Sequence, residues 1–336
     1  MKEPTNDVVQ RIKPDLIVVD SICHHAIDIA KSKRIPFVQV YTAPPMEDIS
    51  YSYAGAKSKT VDFISRLKKT FVNWTFQLQL LYFFYTRNVE VPFRPADPTA
   101  VATLHCTIPG FHFRFEILLP STHYVLGYFT PTKPSSTTKG SAWLDSLPRS
   151  DHAIYVSFGT HVQPSIELYA KVVEGTLAIS NQTRVIVSTR RTEHLKRILD
   201  VKRIRQNRVR IESWVDQSAI LSHERTTIFI SHGGMGGISE ALHAKTPMIV
   251  IPFWGDQPLN GYLVDLRHVG VSIDKDALTV EKVSDAVREI MQHREEYAHR
   301  VRELDKVRRL TGGVQKGVDA IESALIQHQE VNLDIY

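Results

Sequence analysis

Two short apolar runs constrain this chain more than any other feature. Thr226 to Ile230 is β-branched and aromatic, and Met248 to Ile251 follows it after one helix-like segment. Runs so short and so continuously apolar read as strands of a parallel sheet buried on both faces. The first ends in Ser231-His232-Gly233-Gly234-Met235-Gly236-Gly237 and passes into Ile238 to Lys245 (ISEALHAK), which suits a helix. The second ends in Pro252-Phe253-Trp254-Gly255-Asp256-Gln257. The first is a strand, a glycine loop and a helix in succession. The four glycines let backbone N–H groups approach an anion without Cβ obstruction, and the helix would bring its positive N-terminal end to the same point. His232, at the strand's end, is placed to donate to an anionic oxygen. Glu240, one turn into the helix, can accept two hydroxyls of a ribose. A plain βα reversal needs glycines as well, so the loop alone leaves both readings open.

The flanks decide more. Counted from Trp214, the positions of Gln217, His232, Glu240, Pro252, Asp256, Gln257 and Asn260 fall without a gap into the register of a known signature. The stretch 214–260 resembles the signature block of family-1 glycosyltransferases, the UDP-sugar-dependent enzymes of small lipophilic acceptors. The resemblance implies that Trp214 stacks on uracil, Gln217 and Glu240 contact ribose, His232 contacts the diphosphate, and Asp256 and Gln257 hold sugar hydroxyls. A flat indole suits a flat base, and amide and carboxylate forks suit vicinal diols. Gly234, Met235, Gly236 and Gly237 depart from the plant form, which has Trp-Asn-Ser, so their phosphate contacts pass to backbone N–H groups. Val215 belongs to the same donor-binding set, and Asp216 stands where proline is usual. Thr160, closing Ser157-Phe158-Gly159-Thr160, is implied to touch the β-phosphate; its plain reading is a turn residue. Gln257 suggests glucose as the sugar.

The implied fold is α/β of the GT-B type: two Rossmann-like domains with parallel sheets, the first incomplete. Residues 1–130 form the acceptor-side domain. Residues 131–141 (PTKPSSTTKGS) form a linker rich in Pro, Ser, Thr and Lys. Residues 142–312 form the UDP-sugar-binding domain, and the helix of 313–336 packs back on the first domain. Asp15 to Asp20, a helix from Ser21 to Lys33, and Phe37 to Tyr41 read as a βαβ unit. The residues after its strands, Asp20 and Thr42, lie where open α/β sheets bind ligands. Asp20 reads as a helix N-cap; the resemblance makes it the aspartate that orients a catalytic histidine, and makes Thr42 a donor-sugar contact. That histidine belongs after the family's first strand. At ~30 residues per βαβ unit, roughly 90 residues are expected ahead of this chain. No histidine here occupies that position. His24 and His25 read as surface or capping residues, or as a substitute base.

Composition narrows the rest. Two cysteines, Cys23 and Cys106, provide no disulfide framework and no metal pattern, which points to a reducing, cytoplasmic setting. The segment before Ile12 lacks the apolar core of a signal peptide. The longest aromatic-rich stretch, Phe71 to Tyr85, is too short and too polar to span a membrane; it reads as a core helix or as a lid for an apolar acceptor. Between Arg184 and Arg210 ten Lys/Arg face two acids, either a solvated face or a surface drawn peripherally to anionic membranes. No nucleic-acid-binding signature accompanies them. The reading from residues and resemblance together is inverting transfer from a UDP-sugar co-substrate to a hydroxyl of a small lipophilic acceptor, with no metal and no resident cofactor. The alternatives are a non-catalytic UDP-sugar binder or partner subunit and, disfavoured by the tryptophan-opened block, a nucleotide-sugar epimerase.

Overall fold

The computed structural model describes residues 2–42, 97–111, 122–127, 139–199 and 207–333. The aromatic segment 71–85, residues 112–120 and the linker residues 131–138 lie outside them. The chain divides into two compact units, Met1–Tyr128 with Arg308–Tyr336, and Phe129–Val307. Among the described residues no helix is long and apolar enough to cross a membrane.

The second unit is built on six parallel strands: β5 (His152–Ser157), β6 (Thr183–Ser188), β7 (Val209–Glu212), β8 (Thr226–Ser231), β9 (Met248–Val250) and β10 (Gly270–Ser272). Their order across the sheet is β10-β9-β8-β5-β6-β7. From β5 the chain runs outward to β6 and β7, and from β8 it runs outward the other way. This is the doubly wound order, and its switch point lies between β5 and β8. The runs AIYVS, VIV, IFIS and MIV are buried on both faces, as strands covered by helices on each side must be. One face meets α4 (Ile166–Leu177) and α9 (Val280–Gln292), which join Ile154, Val156, Val185, Ile228 and Ile230 in one core through Val172, Val173, Val283 and Val287. Both helices start at hydroxyl caps: Ser165 Oγ accepts from Leu168 N, and Thr279 Oγ1 from Lys282 N. The remaining helices are α3 (Lys139–Asp145), α5 (Thr192–Ile198), α6 (Gln217–Leu221), α7 (Met235–Ala244), α8 (Gln257–Leu266) and α10 (Arg294–Leu310).

The first unit carries four parallel strands in sequence order: β1 (Ile17–Asp20), β2 (Phe37–Tyr41), β3 (Ala102–His105) and β4 (His123–Val125). Its α1 (Lys2–Ile12) precedes them. On one face α2 (His24–Ser32) contributes Ile27 and Ala30 to a cluster with Val19 and Phe37. On the other face α11 (Gly313–Leu333) brings Ala320 and Ala324, one turn apart, against Val38, Ala102 and Leu104.

β3 has four residues, ATLH, too few to show alternation in the sequence. Three expectations need correction. The linker's last residues start α3, where Gly140 fits against Ile220, Ile186 and Val215. The glycine helix α7 begins at Met235, not Ile238, so Gly236 and Gly237 belong to its first turn. His24 is neither a surface nor a capping residue: it is 5% exposed, and the N-cap of α2 is Cys23.

Gly175 tests the core packing. A Cβ there would stand 2.6 Å from Val280 O and 2.7 Å from Val283 Cβ, both at the start of α9. Gly175→Ala gains up to ~1 kcal/mol in helix propensity, but crowding a filled core costs about 1–3 kcal/mol. The variant is expected to unfold at lower denaturant than the parent, read from the midpoint of a urea transition.

Candidate functional site

The loops leaving β5 and β8 meet at the switch point, since Ser157 pairs with Ser231 in the last rung of the ladder. His232 fills the gap between them. A Cβ on Gly159 would lie 2.8 Å from its Cε1, and one on Gly234 would lie 2.5 Å from its Nε2. Gly159 (φ +70) and Gly233 (φ +81) also take backbone that side chains disfavour. Ser231 Oγ accepts from Gly233 N at 3.1 Å and holds the bend. Gly234 is the N-cap of α7, and the helix ladder begins with Ile238 N donating to Gly234 O. The N–H groups of Gly236 and Gly237 therefore precede the ladder, at the positive end of the helix. A Cβ on Gly236 would meet nothing within 4 Å.

Burial, with a smaller contribution from the charge of His161, lowers the His232 imidazole to about 4. The ring is neutral near pH 7, and its Nδ1 is buried without a hydrogen-bond partner. A neutral ring has one N–H to donate. Thr160 and His161 are both exposed on the facing loop. His161 had no role in the sequence reading.

A second polar set joins α6 to α7. Gln217 Nε2 donates to Glu240 Oε2 in a short hydrogen bond, and Ser218 Oγ donates to Glu240 Oε1 at 3.2 Å. Tyr155 Oη, from β5, donates to Gln217 Oε1 at 3.2 Å. Burial raises the Glu240 carboxyl above its usual range, against the lowering by Gln217 and Ser218. Ser218 and Tyr155 were missed by sequence reasoning: Tyr155 reads as a core residue, and Ser218 carries no signal. Trp214, just before α6, is 76% exposed. The side chain of Val215 is buried against Gly140, and that of Met235 is buried too, so neither presents a side chain outward. Asp216, where proline is usual, caps α6 by accepting from Ala219 N at 3.0 Å.

The third set closes the block. Asn260 is fully buried and its Nδ2 donates to Gly233 O and to Asp256 Oδ2, both at 2.8 Å. It thereby ties the glycine loop to the carboxylate. Burial raises the Asp256 carboxyl. Gln257 Oε1 accepts from Phe253 N and Trp254 N, which leaves its amide N–H₂ as donor. Asp274-Lys275-Asp276, an Asp-x-Asp by pattern, is a 3-10 turn in which Asp274 caps and Lys275 pairs with Asp276.

The profile of one family, UDP-glucoronosyl and UDP-glucosyl transferase, matches residues 6–310. The chain belongs to that family. It is 25% identical over 307 residues to UDP-glucuronosyltransferase 3A1 of Xenopus laevis, covering 85% of this chain and 57% of that protein. The chain spans about half the length of the curated relatives it matches. Among solved structures it resembles a glycotransferase of kitacinnamycin, with TM-score 0.71 and 20% identity over 96% of this chain and 80% of that one. It also resembles a UDP-glucose: anthocyanidin 3-O-glucosyltransferase solved with UDP, with TM-score 0.69 and 17% identity over 97% of this chain and 79% of that one. The fold is GT-B.

In the first unit of this family-1 chain, Asp20 and Thr42 come together. Thr42 Oγ1 donates to Asp20 Oδ2 at 3.3 Å, and Ile22 N donates to Asp20 Oδ1 at 3.1 Å. Asp20 is therefore not the cap of α2. On the same unit Tyr41, His105 and His123 stack in a row, with centroids 5.4 and 5.1 Å apart, and His105 Nε2 lies 3.0 Å from His123 Nδ1. Burial and the His123 charge lower His105 to about 4. Among the described residues of the basic stretch, Arg184 pairs with Asp151 at 2.5 Å, Lys196 with Glu193, and Arg210 with Glu212, while Arg191 donates to the Pro164 carbonyl.

The histidines set an acid limit. Between the ordinary imidazole value of 6.5 and about 4, the unfolded chain takes up protons that folded His232 and His105 refuse. Stability is thus complete above 6.5 and falls as pH drops towards 4, by on the order of 3 kcal/mol for His232. Urea unfolding at pH 7.5 and 4.5 should show a smaller acid loss in His232→Asn than in the parent; equal losses would refute the buried neutral ring.

Proposed function

We propose that the second unit binds a UDP-sugar, with glucose as the sugar, and that this supports inverting transfer to a hydroxyl of a small lipophilic acceptor. The observation that carries the reading is the meeting, at one switch point, of an anion cradle and a hydrogen-bonded Gln217–Glu240 fork beside an exposed indole. The UDP complex of the anthocyanidin glucosyltransferase, a fold relative, supports the same ligand class.

Each part has a chemical task. Trp214 stacks on uracil, and the main chain of Val215 follows it along the base. Glu240, held by Gln217 and Ser218, accepts the ribose hydroxyls. His232 donates its single N–H to the diphosphate, joined by Thr160 Oγ1 and the N–H groups of the first turn of α7. Those donors are oriented before the ligand arrives, so they stabilise departing UDP without reorganising. The Gln257 amide donates to sugar hydroxyls and Asp256 accepts from them. In the first unit Asp20 is the carboxylate that orients and charges an imidazole base, and Thr42 contacts the donor sugar. The acceptor oxygen would attack the anomeric carbon as the bond to UDP breaks, in one displacement, its proton passing to an imidazole base supplied from outside the described residues.

Calorimetric titration with UDP tests the donor half. His232→Ala should bind UDP about tenfold more weakly, the worth of one strong hydrogen bond. Gly236→Ala should fold as well as the parent and still lose UDP affinity, because its new methyl points into open space at the cradle. Glu240→Ala should lose UDP affinity while binding pyrophosphate as the parent does. Unchanged affinity in all three would overturn the assignment. Incubation with UDP-glucose and a generic phenol or sterol, read by mass spectrometry, tests transfer; binding without product would favour a UDP-sugar binder that needs another chain for its base.

A further inference from the structure

The second unit has a polar cavity of about 620 Å³ at the end of its sheet away from the glycine loops. Arg149 to His152, leading into β5, form one wall, and Glu224 and Arg225, leading into β8, form another. Arg294, the first residue of α10, closes a third side. Both central strands are parallel, so the cavity lies at their entry and the candidate donor site at their exit.

Its charge is unbalanced. Asp151 is spent on a buried ion pair with Arg184. That leaves three guanidinium groups, Arg149, Arg225 and Arg294, facing one further carboxylate, Glu224. Arg149 and Arg294 make no hydrogen bond or ion pair among the described residues. Arg225 is held in place by donating from Nη1 to Pro148 O at 2.7 Å, yet its Nε is buried without an acceptor. A guanidinium carries five N–H donors, so the three arginines bring more donors to the cavity than its protein acceptors take up, and an arriving oxyanion would pair with those left over. Burial, then the charges of Arg294 and Arg184, lower His152, with Asp151 opposing; the ring bonds Thr183 Oγ1 at 3.1 Å and adds no charge. Planar forks converging from separate walls suit a tetrahedral dianion better than a single carboxylate.

We propose that this cavity is a second anion site, binding a phosphate group between Arg149, Arg225 and Arg294, separate from the candidate donor site and not dependent on that assignment. The phosphate can be free or can belong to a lipid headgroup, and two probes distinguish the sources: inorganic phosphate, and vesicles containing phosphatidic acid.

The test compares the full chain with the double variant Arg149→Gln/Arg294→Gln and with Glu224→Gln. The altered side chains are exposed, and the candidate donor site is left intact. Phosphate affinity, followed by ³¹P line broadening at constant ionic strength, should fall about tenfold in the double variant and rise in Glu224→Gln, where a repelling charge is gone. A rise cannot come from damaged folding. If vesicles rather than free phosphate show this pattern, the site takes a headgroup and the proposal holds. Equal binding by all three proteins with both probes, or a chloride control that reproduces the effect, would overturn it.

Discussion

The second unit is organised by a steric fit: the His232 ring occupies the space that two Cβ atoms would need. Gly159 approaches it from the facing loop and Gly234 from its own, closer than a residue with a Cβ could. The ring can sit there only because β5 and β8 are adjacent and the chain leaves them in opposite directions. Burial keeps the ring neutral near pH 7, with one N–H to donate.

Around that fit the polar groups are held by one another. Tyr155, from inside the sheet, supports Gln217; Gln217 and Ser218 support Glu240. Asn260 joins Gly233 to Asp256, and Gln257 secures the turn at Phe253 and Trp254. Burial raises both the Glu240 and the Asp256 carboxyl, and the bonds from Gln217, Ser218 and Asn260 oppose that rise. Each of these side chains is thus oriented by a hydrogen bond to a neighbour before any ligand binds.

The first unit follows the same logic on a smaller sheet. Asp20 and Thr42 leave neighbouring parallel strands and meet beyond the carboxyl ends. The returning helix α11 uses two alanines to lie close against β3.

Much was legible in the residues. The parallel strands of the second unit are continuous apolar runs, because a sheet covered on both faces has no polar side to show. The register from Trp214 to Asn260 marked the donor-site candidates, since their spacing follows the βα unit that carries them. Other features depended on contacts distant in sequence. β3 was hidden because four residues carry no period. The start of α7 was misplaced because glycine's low helix propensity argues against a helix, while tertiary packing of Gly237 over Phe229 favours one. Tyr155 and Ser218 gained roles only when β5, α6 and α7 came together, and the arginine cavity exists only because residues 149, 225 and 294 converge. Local composition sets the elements; long-range packing alone decides which donors end up buried, which stay neutral and which face each other.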